Sequence, residues 1–331
     1  MVAETLPRLD YTAWLSSVAV VRRDGAVMSW VNAEHPGYPY PEIAGYLLSY
    51  LSLDGRMTAP LRNRVALHLL SDLTASGAVG RRGIEYVFDS AMVLGGLLAH
   101  EANGGLIPDP RMVDRLRQYV VERLTNRIGL DGTLENAATH WSQSYGCHLL
   151  KCVISLTAFD VARGSDTSDL VAQLLDDLLP LYEGAGDVGR FHVNAGSDVT
   201  YAHAHCYALE GLLVLEGRGR ADLRRWIDGG AAWLAEVQQA HGGVPAEHDS
   251  NGARMGAHAD CTAQAIRIWA CADYARFRAN IERGLEFLDE LSDSGGIRYE
   301  TGSNDINTWA TIFGAQALDF AAQGGNWKCL I

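Results

Sequence analysis

Residues 201–215, YAHAHCYALEGLLVL, open with polar and ring-bearing side chains and then run almost wholly apolar, with small residues between the leucines. A helix apolar on nearly all sides belongs in a protein interior. Five other stretches are built the same way: PEIAGYLLSYL (41–51), FDSAMVLGGLLAH (88–100), WSQSYGCHLLKCVISL (141–156), DCTAQAIRIWACAD (260–273) and NTWATIFGAQALDFA (307–321). They return every ~50–60 residues, and self-similarity at such a period marks a repeat architecture.

Helices of a second kind lie between them. RNRVALHLLSDL (62–73), PRMVDRLRQYVVERL (110–124), TSDLVAQLLDDLL (167–179), RADLRRWIDGGAAWLAEV (220–237) and DYARFRANIERGLEFLDEL (273–291) carry an apolar stripe at helical spacing opposite a charged face. LDYTAWLSSVAVV (9–21) is a weaker sixth example. Such helices lie on a surface. Outer then inner, six times over, predicts an all-α fold: an (α/α)6 toroid of six helical hairpins, filling residues 1–331 as one domain. Alternating strand patterns are absent, which argues against a β-propeller and predicts almost no strand.

The connections are asymmetric. Inner-to-outer links are mostly brief. Outer-to-inner links are long and chemically rich: residues 24–40, 77–87, 129–140, 186–200, 242–258 and 295–306. In a toroid all six meet at one mouth, beside the N-termini of the inner helices, whose free N–H groups carry partial positive charge. Long loops on one face of a rigid scaffold are where ligands bind.

Composition narrows the partners. The chain has 331 residues, 48% hydrophobic and 20% charged, with a net charge of −13. That sign repels nucleic acid and anionic membranes. No apolar run approaches the roughly 20 residues of a membrane span. Ala13–Val21 is followed, not preceded, by Arg22 and Arg23, so it does not read as a signal peptide. Six cysteines (147, 152, 206, 261, 271 and 329) fall mostly in apolar helical segments, where a thiol behaves as a small hydrophobe. A reduced, cytoplasmic protein is expected, with a homodimer as its one protein partner.

Aromatic residues crowd the mouth loops: Trp30, Tyr38, Tyr40, Tyr86, Trp141, Tyr201 and Trp309. Ring faces beside carboxylates and imidazoles suit a pyranose, with its C–H faces and hydroxyl rim. The plainer role for any one ring is to wedge a loop onto the barrel. His203 and His205 flank the start of the fourth inner helix, while His258 and His140 hold matching places in the fifth and third repeats. Imidazole is well suited to proton transfer near neutral pH. A hydrogen-bonded structural histidine is the alternative for each.

Carboxylates at the same level include Glu34, Glu42, Asp89, Glu247, Asp249, Asp260, Glu300 and Asp305. Asp89 is either a helix cap or a catalytic acid, and Glu42 follows Pro41 in a first turn. Arg190, Arg254 and Arg298 are candidate clamps for an anionic group, or partners for the nearby acids. His203, Cys206, His258 and Cys261 form two H-x-x-C pairs, enough ligands for zinc. Loose spacing and apolar surroundings argue against that set, so no metal and no cofactor are expected. Nucleotide-cradling GxGxxG and GxxxxGK[ST] motifs do not occur.

FDSAMVLGGLLAH, YAHAHCYALEGLL, DCTAQAIRIW and INTWATIFGAQAL resemble segments of the proteins related to N-acylglucosamine 2-epimerase. HPGYPYPEIAGY resembles the opening motif of epimerase-like proteins from polysaccharide-biosynthesis clusters, and the likeness runs in order over residues 28–331. The resemblance implies a six-hairpin toroid acting on sugars: epimerases, ketose–aldose isomerases, or hydrolases of unsaturated uronides. Departures are plain. The epimerases place one catalytic histidine before a glutamate and a tryptophan, and another beside paired tryptophans. Here the fourth inner helix keeps histidines without that context, and the sixth has Trp309 but no histidine. The uronide hydrolases use two aspartates, of which Asp89 matches one while His140-Trp141 stands at the other's place.

The expected function is therefore isomerisation or epimerisation of a sugar-like small molecule by proton abstraction beside a carbonyl. His205 or His203 is the base and His258 the acid. Asp89 is a catalytic candidate, and Tyr38, Glu42, Tyr86, His140, Trp141, Arg190, Glu247, Arg254 and Trp309 bind substrate. The alternatives are a carboxylate-dependent glycoside hydrolase or lyase, a non-catalytic glycan-binding or scaffolding protein, and a terpene-type toroid cyclase. The last lacks an inner-helix DxDD, since Asp176-Asp177 lie on an outer helix.

Overall fold

The computed structural model describes residues 10–53, 58–130 and 141–331, excepting the Trp141 side chain. Apolar stretches become helices where the repeat places them: α1 (Thr12–Leu15), α2 (Pro41–Ser52), α3 (Ala59–Ser71), α4 (Val87–Ala102), α5 (Pro110–Asn126), α6 (Cys152–Arg163), α7 (Ser168–Leu178), α8 (Ala202–Gly217), α9 (Arg224–Val237), α10 (Ala259–Glu290) and α11 (Thr308–Gln323). α10 is two helices in one. Asp273 adopts an extended conformation (φ −163°, ψ 92°), dividing an inner half, 259–272, from an outer half, 274–290.

The inner helices form a closed ring. α2 packs on α4, α4 on α6, α6 on α8, α8 on α10, α10 on α11, and α11 back on α2. This is the (α/α)6 toroid that the repeat predicts. Small residues let the inner helices approach closely: a Cβ added at Gly96 would lie 2.5 Å from the Gly45 carbonyl oxygen. The buried side chains form one continuous hydrophobic cluster that includes residues of every one of these helices. All six cysteines are free thiols. No helix among the described residues is long and apolar enough to cross a membrane.

Three local expectations change. The segment 9–21 forms only the four-residue α1 and then turns, with Val21 bridging to Val27. Val18, Val20 and Val21 are β-branched, which weakens a helix continued through them. The third inner helix starts late, its stretch opening as 3₁₀ turns at Trp141–Gln143 and Cys147–Lys151. Strand is present rather than nearly absent, because long loops must still pair their backbone groups. Tyr182–Ala185 pairs with Val188–Phe191, and Thr200–Tyr201 pairs with Glu247–Asp249. Trp30–Val31 pairs with Ile306–Asn307, joining the first mouth loop to the last.

The axis below the mouth is charged. Lys151, Glu210 and Arg267 are fully buried there. Lys151 donates to Glu210 Oε2 at 2.5 Å, Arg267 pairs with the same carboxylate, and Arg267 Nη1 donates to Gln316 at 2.8 Å. The Lys151 ammonium also lies over the rings of Tyr46 and Tyr207.

Candidate active site

Four of the inner helices begin just after a residue in extended backbone that offers no side-chain cap: Tyr40, Tyr86, Tyr201 and His258. Their first-turn N–H groups and side chains are thereby presented to the mouth. They open on a cavity of about 760 Å3, a size suited to a small ligand. Its wall is aromatic: Tyr38, Tyr40, Tyr86, Tyr201, Tyr207, Tyr299 and Trp309. Its polar groups include Glu42, Arg81, Ser142, Gln143, His203, Glu247, His258 and Asp260, with the thiol of Cys261. A neighbouring cleft of about 670 Å3 holds Glu85, whose carboxylate is already engaged by Thr74, Ser76 and Arg123.

α8 and α10 build the polar wall together. His203 stands in the first turn of α8, its ring 4.3 Å from that of Tyr207, its i+4 neighbour on the same face. His203 Nδ1 faces Asp260 Oδ2 at 3.5 Å. Asp260 is fixed in turn, because its Oδ1 accepts the Cys261 backbone N–H at 2.8 Å. Burial outweighs the Asp260 charge and lowers the His203 pKa below its ordinary value of 6.5, so the imidazole is neutral at neutral pH. Tyr207 donates its hydroxyl to Glu42 at 3.2 Å, linking α8 to α2. His258 lies against Tyr299, with Nε2 3.6 Å from Glu300.

Arg81 closes the other side. It donates to the Tyr40 hydroxyl at 2.9 Å, lies 3.7 Å above that ring, and approaches Asp89 at 3.7 Å. Asp89 does not line the cavity. It is 4% exposed beside Arg81, in the first turn of α4, and not at the cap. Burial foremost, and then the Glu42 charge, raise its pKa well above the usual carboxylate range.

Of the residues expected from sequence, the structure brings Tyr38, Glu42, Tyr86, His203, Glu247, His258 and Trp309 to one cavity. Besides Asp89, three others are elsewhere. His205 is fully buried against Trp233. Its Nδ1 accepts from the Phe191 N–H at 3.1 Å, and Nε2 lies 3.3 Å from the Gly230 carbonyl. It is a packed structural imidazole, since two residues along a helix from His203 it must face another way. Arg190 donates to the Asp249 carbonyl at 3.3 Å, away from the cavity wall. Arg254 spends its charge on Glu247 (2.9 Å) and Asp249 (3.5 Å), so it holds a wall residue without being one. His140 and the Trp141 side chain lie outside the described residues.

Sequence reasoning missed Arg81, Tyr207 and Tyr299. Tyr207 was findable at helical spacing from His203. The signal for Arg81 is the tight turn Arg82-Gly83, both at positive φ, which makes a two-residue hairpin between Gly80–Arg81 and Ile84–Glu85.

No protein-family model matches the sequence, and neither does any curated protein. Solved structures match over nearly the whole chain. A cellobiose 2-epimerase from Bacillus thermoamylovorans B4167 aligns with TM-score 0.64 at 13% identity, covering 93% of this chain and 95% of its own. A glycosyl hydrolase family 88 protein from Bacteroides vulgatus aligns with TM-score 0.61 at 11% identity, covering 86% and 92%. An α-amylase from Clostridium perfringens gives 0.63 at 9% identity, covering 94% and 98%. These place the fold among the (α/α)6 toroids. The neighbours act on sugars by different chemistries, and at such identities the likeness is one of fold.

Proposed function

We propose that the protein is a carbohydrate-processing enzyme that isomerises or epimerises a sugar by moving a proton beside its carbonyl. The observation that carries this reading is His203, a neutral imidazole on an aromatic cavity wall, oriented by Asp260 and facing a space shared with His258. With Nδ1 toward Asp260, the other ring nitrogen, Nε2, serves as the base. His203 takes the proton from the carbon next to the carbonyl, and the C–H electron pair moves onto the carbonyl oxygen as an enediolate. Return of a proton from His258 to the opposite face of that carbon inverts it. Return to the neighbouring carbon exchanges aldose for ketose. The wall tyrosines and Trp309 receive the C–H faces of the ring. The fold neighbour named a cellobiose 2-epimerase supports the reading, and family 88 and amylase neighbours keep the substrate class while differing in reaction.

The test is turnover of a reducing sugar by single variants. His203→Asn and His258→Asn are expected to lower kcat by ~10²–10⁴-fold each with helicity unchanged. The acid limb of the pH–rate profile should fall below the ordinary imidazole value of 6.5, because burial lowers the His203 pKa. A second reading rests on the carboxylates: Glu42 lines the cavity, and Asp89, kept protonated by burial and the Glu42 charge, lies behind Arg81 and must move past it to protonate a bound sugar. In that case Asp89→Asn is inactive while His203→Asn turns over normally, and the sugar is hydrolysed.

A further inference from the structure

The sequence offers four zinc ligands as two H-x-x-C pairs, and the structure assembles a different set. One ligand atom each from His203, Asp260 and Cys261 can be chosen so that all lie within 4.8 Å of one another. Cys206 and His258 are not in that group. The set takes one residue from the start of α8 and two from the start of α10, and all three line the cavity.

The geometry points to a binding site for a thiophilic divalent cation, zinc foremost, held by His203, Asp260 and Cys261 with its remaining position open to the cavity. Zinc takes imidazole at about 2.0–2.1 Å, carboxylate at about 2.0–2.2 Å and thiolate at about 2.3 Å, and three protein ligands plus one open position is a recurrent arrangement. Tetrahedral bonds of those lengths put ligand atoms roughly 3.4 Å apart, so modest side-chain rotation closes the set. A thiolate with an imidazole selects zinc over calcium or magnesium, which want oxygen. The Asp260 carboxylate is anchored by the Cys261 N–H at 2.8 Å, and His203 Nδ1 already faces it at 3.5 Å. Zinc takes cysteine as its thiolate, so loading releases the thiol proton and tightens as pH rises.

Zinc on His203 and proton abstraction by His203 exclude each other, so bound zinc suppresses turnover under the proposed reaction. The binding inference itself rests on the ligand set alone. The test is direct: metal-free full-length protein is titrated with zinc against a competing chelator, and separately with cobalt. One zinc per chain is expected, with a thiolate-to-cobalt charge-transfer band in the near ultraviolet. Cys261→Ala and His203→Ala should lose more affinity than the ~10–100-fold that outer-shell changes cost, and Cys261→Ala should lose the band. Cys206→Ala and His258→Asn should keep both. Substoichiometric zinc in the wild type, or zinc and the cobalt band surviving in Cys261→Ala, would overturn the site. Stoichiometric zinc that leaves turnover untouched upholds the site and instead removes His203 as the base.

Discussion

At the scale of single residues, the histidines separate by what their ring nitrogens touch. His203 and His258 reach the cavity, whereas His205 is held on both sides by backbone groups. His205→Ala should therefore cost about 1–3 kcal/mol of stability, by leaving the buried Phe191 N–H without a partner. A chemical-denaturation midpoint checks this, and an unchanged midpoint would contradict it. Burial pushes the His205 pKa down to about 3 and that of His248 to about 4, with Arg190 adding to both effects. Both are depressed, so their neutral forms belong to the fold. As pH falls below the ordinary 6.5, the unfolded chain takes up protons that the fold refuses, and stability is lost down toward about 3. The denaturation midpoint should fall between pH 7 and pH 5, and less steeply in His205→Gln. Residue types at the mouth were legible in the sequence, but facing was only partly so. Two histidines spaced by two cannot share a helix face, yet which one turns inward depends on α9 and the 188–191 strand, far away in the chain.

At the scale of elements, the inner helices are close-packed because their glycines remove side chains where backbones meet. Gly96→Ala would drive a methyl against the Gly45 carbonyl at 2.5 Å. The expected cost is about 1–3 kcal/mol, the usual result of overpacking, read as a lowered denaturation midpoint with helicity retained. The apolar inner stretches and striped outer ones could be read directly from the sequence because burial sets their composition. The short mouth strands could not, since two to four residues carry no periodicity. The late start of α6 was also hidden, because its stretch begins with 3₁₀ turns that apolar content does not distinguish from helix.

At the scale of the whole molecule, the ring of inner helices fixes a mouth cavity above an axis of buried charge. Glu210 there answers both Lys151 and Arg267. Glu210→Ala would leave two buried cations without their carboxylate, at an expected cost of about 3–5 kcal/mol, again read by denaturation. That network was not legible, because Lys151, Glu210 and Arg267 sit in three different repeats and meet only when the ring closes. The central claim concerns the cavity: a neutral imidazole there takes a proton from the carbon beside a sugar carbonyl. Incubation of the protein with a panel of reducing aldoses and ketoses in deuterium oxide, followed by proton NMR, tests it most directly. The account predicts that one sugar loses its signal at the carbon next to the carbonyl as deuterium enters, and that His203→Asn stops the loss. Conversion of a sugar with that C–H intact, or exchange undiminished in His203→Asn, would contradict it.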